Sequence, residues 1–420
     1  MEPELFSNDL LLCRKKTPIH PLGIFYGHDP LDFTFTLLLF DILLVIFVAR
    51  LVRIILKPIG QPRIVSDILG GIIIGPSVFG RNKRYQEYVF PDSAKFMIRN
   101  FAILGFMYFV FITGVKMDLS VIFKAKKKHW YISTIGVAFP LLTSITVAIC
   151  MRKYAEAEEL RTFASLYGIS TTIAITAFPV LYPVVRELNL LSSDIGRLAL
   201  SLSVISDVIG MHGLVIFEAA KQGEGKSMAA LWYTVSFFLV MAILVVGVRL
   251  AMDWIVKSTP EGKPVEEIYV VFILLGVCVA GFVTDMCGLA ICNGPLWLGL
   301  AVPDGPPLGA TIVEKCETFL MEIFMPFSFA YVGLVTDVSS MSGNWSILRP
   351  LFYMAFLGCI TKVSAVLVTG HLTSMTFRDS LALALIMSIR GQVELIMFVH
   401  WMDLKVPPLA FNFSKCKNYC

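Results

Sequence analysis

The sequence predicts an all-α polytopic membrane protein of about twelve transmembrane helices, folded as two inverted repeats with two discontinuous, crossing helices. Three observations lead there. Hydrophobic residues make up 56% of the 420 and charged residues only 16%, whereas a soluble domain carries about a quarter charged residues. The apolar residues collect in runs of the ~20 residues that cross a ~30 Å hydrocarbon layer. Two stretches in opposite halves share an ordered motif, FMYFVFITGVKMD at 106–118 and FMPFSFAYVGLVTD at 324–337, offset by about 219 residues.

The runs fall near 31–52, 62–80, 99–115, 129–150, 162–185, 195–219, 228–255, 267–286, 288–303, 316–335, 348–370 and 379–401. Unpaired backbone groups are costly in lipid, so such runs are helices or barrel strands, and these lack the dyad alternation of strands. Residues 1–30 are polar and lack the apolar core and small-residue cleavage site of a signal peptide, so insertion is expected to begin with the first span. The repeat then divides the chain into a first six-helix unit over 31–219, a linker helix over 228–255, an incomplete second unit over 267–401 and a tail over 402–420. Two segments are short and rich in Gly and Pro, DILGGIIIGPSVFG at 67–80 and LAICNGPLWLGLAVP at 289–303, in similar places of the two halves. Basic residues occur in loops on both alternating sides, so they fix no orientation.

Charge and cysteine content exclude other classes. Thirty-five basic residues against 31 acidic ones leave +4, too even and too scattered for a nucleic-acid surface or a polybasic tail. Nine cysteines are spread without CxxC pairs or histidines at zinc spacing, so they read as reduced apolar filler, and no metal centre or cofactor is expected.

An ionisable group at the bilayer centre costs at least ~2.5–3.5 kcal/mol, so each needs a partner, water or a purpose. Asp207 lies in LALSLSVISDVIGMHGLVIF beside Ser201, Ser203 and Ser206, whose oxygens can serve as ligands. Lys362 lies mid-span in FLGCITKVSAVLV, and Arg390 mid-span in LIMSIRGQVELIMF with Glu394 one turn on. For Asp207, a structural partner of a buried base is the rival to ion binding. The segment SLYGISTTIAITAFPVLYPVV carries Gly168, Thr171, Thr172 and Thr176, with Thr162 upstream, and then Pro179, which removes a donor and disturbs a helix. At the 219 offset Thr172 falls on Gly391, so both counterpart helices weaken at one depth. Paired broken helices expose half-helix ends and free carbonyls, from which an ion site can be made; a simple proline kink is the alternative. Other polar residues count for less. Asp41 faces a partner helix, Asp67 and Asp194 follow serines and read as caps, Glu314, Glu317 and Glu322 belong near the interface, Asp285 at a helix end, and His212 reads as a packed histidine.

At this point the residues resemble the plant cation/proton exchangers of the CHX type, within the monovalent cation:proton antiporter-2 family. QPRIVSDILGGIIIGPSVFG (61–80), ITAFPVL (175–181), GRLALSLSVISD (196–207), GFVTD (281–285), MPFSFAYVGLVTDV (325–338) and RGQVELI (390–396) carry the resemblance in the family's order. It implies the sodium/proton antiporter fold, with a core that carries the ion past a panel that also forms a homodimer. It further implies exchange of potassium or another monovalent cation for protons in the plasma membrane or an endomembrane. By the same resemblance Asp207 is the carboxylate that binds ion and proton, with Thr171, Thr172 and Thr176 on the unwound helix beside it. Lys362 corresponds to the family's membrane lysine, and Arg390 to a basic residue before its Gly.

Three departures stand out. Ser206 replaces the usual Asn or second Asp, Lys116 stands where the family often has Glu, and family members continue into a last span and a cytosolic domain. The repeat agrees with the last point, because the counterpart of the Asp207 segment would centre near position 426. A transport-inactive short form that dimerises with and regulates a complete exchanger is therefore the second expectation. Intramembrane hydrolysis lacks a second facing acid, and a passive channel fits broken helices less well than alternating access does.

Overall fold

The apolar runs form helices because every backbone donor and acceptor must be satisfied within the segment when lipid surrounds it. The computed structural model describes Phe25 and residues 29–117, 125–152, 163–222, 227–260, 265–303, 305–338 and 345–389, and among these there is no strand. In chain order the helices are α1 (Thr34–Leu56), α2 (Arg63–Ile74), the short α3 (Lys83–Val89), α4 (Asp92–Val115), α5 (Lys127–Met151), α6 (Phe163–Ala174), α7 (Phe178–Glu187) and α8 (Asp194–Gln222). Then follow α9 (Ser227–Ala242), α10 (Val248–Ser258), α11 (Glu267–Met286), α12 (Asn293–Ala301), α13 (Leu308–Phe319), α14 (Met325–Val335), α15 (Trp345–Leu372) and α16 (Phe377–Met387). Single π-helical turns, Ile243–Gly247 and Leu320–Phe324, join α9 to α10 and α13 to α14 into continuous rods.

Ten helical segments among the described residues are long and apolar enough to cross a membrane, and the chain is a multi-pass membrane protein. The difference from twelve has a local cause. The run at 288–303 yields only the nine-residue α12, because the chain turns at Gly288, φ +74, and is extended at Val302, the residue before Pro303. The run at 379–401 is described only to Ile389. Arg390, Gly391, Gln392, Glu394 and Thr162 lie outside the described residues, as do the tail 402–420 and nearly all of 1–28.

Packing sorts the helices into two groups. In one, here the core, α5 lies along α15, and α6, α7, α8 and α16 pack around them, with Leu181, Val185, Leu202, Val366 and Leu383 buried between. In the other, the panel, α2 crosses α14, α12 crosses α4, and α1 and α11 flank them. The linker rod α9–α10 bridges α8 of the core to α12 of the panel.

Gly114 of α4 and Gly333 of α14, which the shared motif aligns at the 219 offset, both stand at panel crossings where helices meet backbone to backbone. A methyl group at Gly114 would lie 2.8 Å from the Leu296 carbonyl oxygen, and one at Gly333 would overlap the Ile68 carbonyl oxygen. Gly71 and Gly299 face the same crossings from the other side, against Ala330 and Phe111. Small residues at such contacts let transmembrane backbones approach closely.

Two caps expected from sequence sit elsewhere. Asp67 is buried inside α2, one turn beyond Arg63, since the helix already begins at Arg63. At the start of α8 the cap is Ser193, whose Oγ accepts from the Gly196 N–H at 3.0 Å, while Asp194 pairs with Arg197 at 2.7 Å.

Candidate functional site

The broken span is the most enclosed of the ten: 89% of its 18-residue apolar stretch is buried, against 17% for that of the linker rod. Its helix stops at Ala174 and restarts at Phe178, so the unwound residues are Ile175, Thr176 and Ala177. The break lies upstream of Pro179. That proline occupies the first turn of α7, where its missing N–H has no intrahelical partner to lose.

A helix end leaves orphan groups and about half an elementary charge, positive at the N-terminus and negative at the C-terminus. Both new ends are met by a charged side chain from a neighbouring helix. Asp207 of α8 accepts the Phe178 N–H on Oδ2 at 2.8 Å, so its carboxylate sits on the positive end of α7. Lys362 of α15, fully buried, donates through Nζ to the Ala174 carbonyl at 2.6 Å, on the negative end of α6. Between them the Thr176 N–H donates to Ser206 Oγ at 3.1 Å, and Thr176 Oγ1 donates to the Met387 carbonyl at 2.6 Å. Met387 is the last residue of α16, so the unwound segment is tied to the end of the second helix that the repeat marks as interrupted.

Asp207, Ser206, Thr176 and Lys362 therefore converge on one break. Thr171 and Thr172 are buried one turn earlier and donate to their own helix, at the Tyr167 and Ile169 carbonyls, each at 2.8 Å. Their oxygens retain acceptor capacity, but their protons are committed. His212 is exposed, bonds the Val208 carbonyl of its own helix at 2.7 Å and lies beside Phe238. Groups that side-chain reading passes over complete the site: the carbonyls of Ala174 and Met387 and the amide of Phe178. The only sequence signal for them is the break itself.

Asp207 is half-buried whereas Ser206 is fully buried, so the carboxylate is the accessible member of the pair. It lies between core and panel. Apolar residues of both meet around it, Ile64, Phe109 and Phe329 with Ala177 and Val180 in one cluster and Met117 with Phe178 and Val204 in another.

Farther along α7 the two groups are joined by ions. Arg186 Nη1 lies 2.5 Å from Glu317 Oε1, Arg53 Nη1 lies 3.6 Å from Glu187 Oε1, and the Arg63 backbone N–H donates to Glu187 at 3.2 Å. Lys116 pairs with the same Glu317 at 2.8 Å and stands 5.1 Å over the Tyr182 ring. Burial pushes the Lys116 ammonium below its ordinary value, and Glu317 pulls it partly back. Within the panel, Glu322 receives both Arg63, at 2.6 and 3.0 Å, and Arg50.

Comparisons with known proteins bear on the family and the fold. The profile described as sodium/hydrogen exchanger, transmembrane, matches residues 43–413. Cation/H(+) antiporter 24 of Arabidopsis thaliana is 40% identical over 399 residues, 94% of this chain and 46% of that protein. Cation/H(+) antiporter 15 of the same plant is 34% identical over 396 residues, 94% of this chain and 48% of that protein. The chain thus spans about half the length of the curated relatives it matches. Among solved structures, the sodium proton antiporter MjNhaP1 from Methanocaldococcus jannaschii superposes with a TM-score of 0.61 at 16% identity, covering 89% of this chain and 88% of that one, which establishes a shared fold. The chain belongs to the transmembrane sodium/hydrogen exchanger family.

Proposed function

We propose that the chain exchanges a monovalent cation, potassium in the first instance, for protons across a membrane by competition at Asp207. The observation that carries this reading is the placement of Asp207 at the break: half-buried, between core and panel, on the positive end of α7. One carboxylate, one ammonium and two opposed half-charges nearly cancel when Asp207 is ionised and Lys362 protonated. From that balanced state a cation beside Asp207 and a proton on it each add one charge in a low-dielectric place, so the site takes one or the other and not both, unless Lys362 releases its own proton. Exchange then follows from exclusivity, because the carboxylate holds a proton or a dehydrated cation in turn.

Ser206 and Thr176, with the Ala174 carbonyl, supply oxygen near the carboxylate, and Thr171 and Thr172 line the approach along α6. Lys362 compensates charge, and Arg390 shares that role in the resemblance. The relatives' names, cation/H(+) antiporters, support the reading at the level of reaction class. Dimerisation through the panel belongs to the same proposal and is read by cross-linking in the bilayer.

The test is flux. The chain reconstituted in liposomes with a trapped pH-sensitive dye should move protons in response to a potassium pulse, and Asp207→Asn should abolish that response while the variant still elutes as a monodisperse species. Undiminished flux in Asp207→Asn would overturn the assignment. A chain silent alone that changes the rate of a longer exchanger when co-expressed would replace transport by the regulatory reading.

A further inference from the structure

Asp207 is not the only carboxylate that α8 turns toward the panel. Glu218 lies eleven residues on, which is three helical turns and about 16 Å along the axis, so both residues occupy one face of the helix. Met211 and Leu214 lie on that face between them. Glu218 is buried, at 5% exposure, and lines a partly open cavity of about 20 Å³ between α8, the linker rod and the start of α12. A void of that size holds one water-sized occupant, and a potassium ion is close to water in size. The polar residues lining it, among the described residues, are Glu218, Tyr233 and Asn293. All three offer oxygen, the ligand atom that replaces the hydration shell of alkali cations. The walls come from α8 of the core on one side, α9 of the linker rod on another, and Ala290 and Asn293 of the panel on the third. The cavity therefore lies in the same seam as Asp207.

We propose that Glu218, with Tyr233 and Asn293, forms a second site for a monovalent cation, a staging position between the membrane surface and Asp207. Its use in exchange rests on the reading of Asp207 given above; its existence as a binding site does not. Glu218 ends three turns nearer the α8 terminus, so an ion held there has shed part of its water before it reaches the break. The apolar side chains of Met211 and Leu214 separate the two positions along that face.

The experiment counts ions. Equilibrium binding of radioactive rubidium to the purified full chain in nanodiscs should exceed one ion per chain. Asp207→Asn should remove one class of site and Glu218→Gln the other, with neither left in the double variant. In liposomes Glu218→Gln should raise the KM for the cation several-fold with little change in maximal rate. Equal rubidium counts and an unchanged KM in Glu218→Gln would overturn the proposal and leave a water-filled void. Should Glu218→Gln fold poorly, Asn293→Asp adds a carboxylate to the same cavity and should tighten rubidium binding; unchanged affinity there would also overturn it. If Asp207→Asn keeps its flux, the exchange reading falls while the rubidium count in Glu218→Gln still decides this one.

Discussion

Lys362 ends a helix to which it does not belong. Its ammonium takes the Ala174 carbonyl, so the negative end of α6 is satisfied from α15, 188 positions away in sequence. A buried acceptor deprived of its donor costs ~1–3 kcal/mol. Lys362→Met keeps the length and apolar stem of the side chain and removes the donor, so its thermal midpoint should fall by that equivalent; Lys362→Arg should recover part. An unchanged midpoint in the methionine variant would show that the α6 end does not depend on this contact. Asp207 and Lys362 were legible in the sequence because ionisable residues inside apolar runs are conspicuous whatever surrounds them. Their targets were not, because backbone groups carry no letter of their own. Asp67 misled for a related reason: a serine before an acid resembles a cap, and only the helix start at Arg63 shows that it is interior.

At the scale of elements, most spans of ordinary length could be read to within a few residues, but α4 starts at Asp92 where the run began at 99 and the α13–α14 rod at Leu308 where the run began at 316. The short α12 could not be read, since a nine-residue helix looks the same as part of a longer apolar run. The repeat was legible through its glycines, and the crossings give the reason. Gly333→Ala would press a methyl group onto the Ile68 backbone, which cannot move aside as a side chain can. Gly247→Ala, in the π-helical turn of the linker rod, meets nothing within 4 Å. Size-exclusion profiles of fluorescent fusions should therefore show Gly333→Ala lost or aggregated and Gly247→Ala at wild-type level or above, because alanine is the better helix former by about 1 kcal/mol. Comparable profiles for the two would mean that the α2–α14 crossing tolerates separation.

Across the whole molecule, core and panel meet through the apolar clusters around Asp207 and through ion pairs at the end of α7. Singly, half-exposed pairs of this kind are worth ~0–1 kcal/mol. Here Arg186 and Glu187 are adjacent residues engaging Glu317 and Arg53 on separate panel helices, so they act on one joint. Glu187→Gln with Glu317→Gln should loosen that joint and hasten hydrogen exchange at the Thr176 and Phe178 amides, while amides of α2 and α14 keep their protection. Equal rates in wild type and the double variant would remove the ion pairs from the account of how the seam is held shut. The pairing of Arg186 with Glu317 was invisible beforehand, because 131 residues separate them and no periodicity links them. Where α2 meets α14 and α4 meets α12, no layer of side chains intervenes to be rearranged. Such contacts have no alternative register to slip into, so the panel is a stiff rail, and the exchange proposed above would place its displacement in the apolar seam beside it and in the rod α9–α10.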